Sequence, residues 1–91
     1  MNMDRAIFQM NASVEATSLY ILLCALSDEG NPVTLKTARE RWNGSEKDLM
    51  NGALELVQLG VIQGEEPLSH ETPLHIQPRD RWQPPAHKTI Q

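Results

Sequence analysis

Apolar residues recur along this chain at two different periods, and the change of period divides it into elements. Leu19, Leu22, Leu23 and Leu26 follow the i, i+3, i+4, i+7 spacing of a helix with one buried stripe. Ser13 precedes that stretch as an N-cap, and Glu15 stands near the positive end of the helix. Tyr20, Ile21 and Cys24 widen the stripe until this first helix is apolar around much of its girth. Such a surplus of apolar surface points to a partner. The run SDEGNP stops the helix, because Gly30 supplies an end and Pro32 blocks continuation.

Pro32-Val33-Thr34 forms a short extended stretch, and Thr34 caps a second helix that runs through Trp42, with Leu35, Ala38 and Trp42 on its apolar side. Asn43-Gly44 is a turn signal. Ser45 caps a third helix, with Asp48 placed three residues on, close to a capping box. Leu49, Ala53 and Leu56 form its stripe, and Gly60 ends it after Leu59. Gly52 lies inside this helix at a cost of about 1 kcal/mol relative to alanine. Close approach of another backbone would explain it. The period then shortens to two. Val61-Ile62-Gln63 and Leu74-His75-Ile76 are short strands with alternating faces, joined by the loop GEEPLSHETP.

The ends are less regular. Residues 1–12 carry Ala6, Ile7, Phe8 and Met10 ahead of any clear cap. This apolar arm packs either on its own domain, as a short extra strand or turn, or on a second copy. The tail PRDRWQPPAHKTIQ is rich in proline and extended through Pro84-Pro85, with Trp82 docked on the domain or reaching a neighbour. The organisation expected is an arm over 1–12, a folded domain over 13–77 and a tail over 78–91.

Ninety-one residues make one small domain with a thin core. No stretch is long and apolar enough to cross a bilayer, and MNMDRAIFQMN lacks the basic start and apolar run of a signal peptide, so a cytoplasmic location is expected. The lone Cys24, set among leucines, makes no internal disulfide and reads as a buried, inert thiol. The net charge is −4, and no segment is strongly basic. Residues 34–62 balance four bases, Lys36, Arg39, Arg41 and Lys47, against four acids, Glu40, Glu46, Asp48 and Glu55. Glu65, Glu66 and Glu71 make the following segment acidic.

The residues Ala38 and Trp42, the Asn43-Gly44 corner, Ser45, Leu49, Ala53 and Leu56, and the exit Leu59-Gly60-Val61-Ile62 resemble the winged helix-turn-helix family in its small bacterial regulator form. The resemblance runs from Ser13 to Gln77. It implies an α+β, mainly helical fold: three helices plus a two- or three-stranded β-wing. It further implies a third helix lying in a DNA major groove, with the wing beside a minor groove or the backbone. A scaffold is what it identifies, and not a ligand.

On that analogy Glu46, Lys47, Met50, Asn51, Leu54 and Gln58 face outward from the third helix. Lys47, Asn51 and Gln58 become base readers, and Met50 and Leu54 supply apolar contact. Lys36, Arg39 and Arg41 hold phosphates. The candidate DNA-binding set is therefore Lys36, Arg39, Arg41, Lys47, Met50, Asn51 and Gln58. Charge argues the other way, since Glu46 and Asp48 flank Lys47 and the wing is acidic. Two functions follow. One is a DNA-binding transcriptional regulator, a homodimer through Leu19, Tyr20, Ile21 and the N-terminal arm. The other is a non-enzymatic protein–protein interaction module using Met50, Leu54 and the apolar surplus of the first helix. An enzyme is not expected, nor any cofactor or metal: there is no phosphate-binding loop and no paired-cysteine motif. His70 and His75 read as solvated histidines, Asp28-Glu29 and Glu65-Glu66 as solvated acids, and Trp42 as core.

Overall fold

A computed structural model describes residues 3–65 and 67–83. The expectations for Glu66 and for the tail from Pro84 onward lie outside the described residues. Three helices, α1 (Val14–Asp28), α2 (Leu35–Arg39) and α3 (Glu46–Gln58), precede a two-stranded antiparallel hairpin of β1 (Ile62–Gln63) and β2 (His75–Ile76). The class is α+β. Ile62 pairs with Ile76, and Gln63 with His75, so the isoleucines turn inward and the polar pair outward. The strands are shorter than the alternation suggests, although Gln77 N–H to Val61 O (2.8 Å) extends the ladder. Leu74 N–H donates to Val33 O (2.9 Å), which ties the extended segment before α2 to the hairpin.

Each helix starts where its cap stands. Ser13 Oγ accepts from Ala16 N–H, Thr34 Oγ1 from Thr37 N–H and Ser45 Oγ from Asp48 N–H. Each bond satisfies a donor that the first helical turn leaves without an intrahelical acceptor. α3 closes at Gly60, whose φ of +75° places it in the left-handed region, while Val61 N–H reaches back to Leu56 O (2.9 Å). A side chain at Gly60 would also meet Arg81 O at 2.8 Å, so two independent constraints favour glycine there. α2 ends at Arg39 rather than at Trp42. The chain tightens there into single turns, with Arg41 N–H bonded to Ala38 O and Trp42 N–H to Arg39 O. The Trp42 indole is half-buried, packs against the edge of the core and donates to Ser45 O (3.0 Å), which anchors the corner.

α1 and α3 form the centre of the fold. Leu19, Leu23 and Leu26 of α1 meet Leu49, Ala53 and Leu56 of α3, all essentially inaccessible to solvent. A Cβ at Gly52 would stand 3.0 Å from Glu15 O and 3.1 Å from Glu15 C, so the two backbones touch where the helices cross. Beside that crossing, Glu55 of α3 accepts from Ser13 N–H (2.8 Å) and Ser13 Oγ–H (2.6 Å). The acid of one helix thus secures the cap of the other.

Both ends of the chain fold onto this centre. Asp4 caps a 3₁₀ turn over Arg5–Gln9, and Ile7 is fully buried. Burial of one isoleucine contributes about 1.5–3 kcal/mol, and Met10 is buried beside it, so the segment is tied down by several contacts together. The arm therefore packs on its own domain, the first of the two alternatives. Trp82 docks likewise. Its ring meets Tyr20 edge-to-face (centroids 5.5 Å apart, planes at 85°), and its indole N–H donates to Gln77 O (2.9 Å). Leu19 and Tyr20 are consequently core residues at 0% and 1% exposure, and a dimer surface made of them is corrected; of the expected trio only Ile21 faces outward.

Tyr20 Oη accepts from Asp4 N–H at 3.0 Å, and burial pushes its ionisation up to about 12. Burial pushes the Cys24 thiol up as well. The unfolded phenol ionises near pH 10, so stability present below that pH is lost as pH rises toward about 12. Chemical denaturation at stepped alkaline pH is expected to show a shallower loss for Tyr20→Phe than for the wild type; equal slopes would contradict this. Gly52→Val is expected to lower stability by about 1–3 kcal/mol despite the better helix propensity of valine, because the α1 backbone blocks the added carbons. An unshifted urea midpoint would show that the crossing gives way freely.

Candidate functional site

The outward face of α3 is set by its inward one. With Leu49, Gly52, Ala53 and Leu56 buried, the helical period turns Lys47, Asn51, Leu54 and Gln58 to solvent on a single stripe. All four are exposed, Leu54 by 42%. Met50 and Val57 are half-buried and flank the stripe.

The three acids of α3 all lie off this stripe. Glu55 is committed to Ser13. Asp48 turns to the α1 side, where it lines a groove with Ile21 and Trp42. Glu46 lies between Arg39 Nη1 (3.0 Å) and His70 Nε2 (3.1 Å). His70 Nε2 is shielded from solvent and lacks an aligned hydrogen bond among the described residues. Facing a carboxylate, that nitrogen is favourable only when it carries a proton. His70 also accepts from Lys36 N–H through its backbone oxygen (2.8 Å). Thus the hairpin loop, the start of α2 and the start of α3 meet around Glu46.

The candidate cations divide. Lys36 and Lys47 are exposed and pair with no acid among the described residues. Arg39 stands against α3, and its pair with Glu46 is solvent-exposed on both sides. Such pairs contribute about 0–1 kcal/mol, so a stronger anion can displace the carboxylate. Arg41 goes elsewhere: it grips Glu29, the C-cap of α1, through two bonds of 3.0 and 2.6 Å. Lys47, Asn51 and Gln58 are therefore brought together, with Arg39 beside them through Glu46, while Lys36 is exposed on α2 one turn before Arg39. Met50 is at the margin and Arg41 is apart.

Two parts of this arrangement escaped the sequence. Ser13 and Glu55 lie forty-two positions apart, beyond any local capping signal. His70, expected as solvated, is half-exposed and contacts Glu46, while His75 faces solvent as expected. Among the described residues, no three His, Cys, Asp or Glu side chains converge as metal ligands. Nor is any helix there long and apolar enough to cross a membrane. Comparison with protein-family models, with curated proteins and with solved structures found no match.

The Arg41 guanidinium holds the Glu29 carboxyl below its usual range. A carboxyl so lowered keeps its charge to lower pH, and the pair is lost as pH falls through that value. In Arg41→Gln, an NMR titration is expected to return Glu29 upward to ordinary carboxylate behaviour. An unchanged titration would remove the ion pair as the cause.

Proposed function

We propose that this chain is a winged helix-turn-helix DNA-binding module of the transcription-regulator type. The observation that carries the reading is the α3 stripe itself: Lys47, Asn51, Leu54 and Gln58 exposed together, with every acid of that helix turned aside or engaged. An α-helix fits the major groove, and these side chains suit its edges. Asn51 and Gln58 can bond adenine through two atoms each. Lys47 can meet guanine or a phosphate, and Leu54 can meet a thymine methyl. Lys36 and Arg39 flank the stripe as phosphate contacts, and the hairpin loop, docked on α2 through His70, is the wing. Arg41 has no part in this reading.

Glu46 then acts as an internal substitute for phosphate. It occupies Arg39 and His70 in the unbound protein and yields to the nucleic-acid backbone on binding. The low net positive charge of the face implies few phosphate contacts and a modest salt slope for one domain, since that slope scales with the charges neutralised. A second reading, a protein-binding face, is favoured by the exposure of Leu54 beside half-buried Met50 and Val57.

A mobility-shift experiment with a pool of genomic fragments at low salt tests the proposal. Binding is expected for the wild type, and Lys47→Glu is expected to abolish it. Asn51→Ala should weaken it by about 1–3 kcal/mol. Glu46→Gln should tighten it by releasing Arg39. No shift at low salt, or a shift indifferent to Lys47 and Asn51, would defeat the DNA reading. Loss of a co-purifying protein on Leu54→Asp would then support the second.

A further inference from the structure

We propose that α1 pairs with α1 of a second copy of this chain in an antiparallel, two-fold seam. The seam is the face of α1 opposite its core side, made by Val14, Ser18, Ile21 and Ala25. These residues are spaced by four, three and four positions, the interval at which one helix packs along another. Val14 and Ile21 are 78% and 40% exposed, the two large apolar side chains of α1 left in water. The face borders a groove of about 550 Å³ whose far wall is Trp42 and the Asn43-Gly44 corner.

The order of sizes along the seam selects the occupant. Large and small alternate: Val14, Ser18, Ile21, Ala25. Turned antiparallel about a point midway between Ser18 and Ile21, the two helices place Val14 over the partner's Ala25 and Ile21 over the partner's Ser18. Each branched side chain then enters the space above a small one, along the whole seam and in both directions. A parallel pair would set Val14 on the partner's Val14 and leave Ser18 facing a gap. The pattern is complementary to itself, as a closed two-fold interface requires.

Charge leaves the choice to the sizes: Glu15 stands at the N-terminal end of the seam, and the other end carries Asp28 and Glu29 as well as Arg41, which Glu29 already holds through two bonds. The seam is separate from the α3 stripe, so it stands whether or not α3 binds DNA.

Sedimentation equilibrium of the full chain over a wide concentration range tests the pairing. A dimer mass is expected for the wild type, and Ile21→Asp should raise its dissociation constant at least tenfold with the helical circular dichroism unchanged. Ser18→Arg, at an exposed position that no core contact depends on, gives the same reading if the first variant unfolds. Orientation is read by cross-linking in a Cys24→Ala background. Val14→Cys and Ala25→Cys chains, mixed and oxidised, should join to each other and neither to itself. A wild-type monomer at every concentration, a dimer indifferent to both seam variants, or Val14→Cys joining to itself would overturn the proposal.

Discussion

The contact on which the rest depends is the crossing of α1 over α3. Gly52 lets the backbone of α3 meet that of α1 at Glu15 and Ala16, and Glu55 fixes the angle by bonding both the amide and the hydroxyl of Ser13. A larger residue at the crossing would part the helices and open the leucine layer between them. Once the crossing is set, the inward face of α3 is fixed, and so is the stripe it presents to solvent. The same contact leaves Val14, Ser18, Ile21 and Ala25 on the far side of α1. One geometric decision thus yields two outward surfaces, polar on α3 and apolar on α1.

The periphery reinforces that centre by local bonds of modest strength. Trp82 packs on Tyr20, Tyr20 receives the amide of Asp4, and Ile7 fills the space between the N-terminal turn and the core. An edge-to-face aromatic pair contributes about 0.5–1.5 kcal/mol beyond its burial, comparable to one net hydrogen bond. Several such contacts at both ends give a thin core the closure that its size alone would not supply. The loop before β2 is held differently, by Lys36 N–H to His70 O and by Glu46 facing the imidazole.

Much of this was legible in the sequence because its signals are local. Ser13, Thr34 and Ser45 announced the three helix starts, Gly30 and Gly60 two of the ends, and the Val61 to Gln63 alternation a strand. A glycine inside a good helix raised the possibility of a close backbone approach at Gly52, and the contact with Glu15 appears only in the fold. What stayed hidden is tertiary. α1 is apolar on nearly every side, so periodicity alone could not say that Tyr20 faces inward and Ile21 outward. Arg39 and Arg41 are two positions apart, yet one turns to α3 and the other to Glu29, a division set by where distant acids lie. Trp42 looked like the apolar end of a longer helix, but its indole N–H found Ser45 O and the backbone turned.

The central claim is that the α3 stripe is the surface through which this chain acts on nucleic acid. Backbone-amide NMR of the labelled protein, titrated with mixed-sequence duplex DNA at low salt, addresses it directly. Shifts are expected to concentrate at Lys47, Asn51, Leu54 and Gln58 and in the loop around His70, leaving the Val14 to Ala25 face of α1 unmoved. A silent α3, or shifts gathered on α1 instead, would contradict the account.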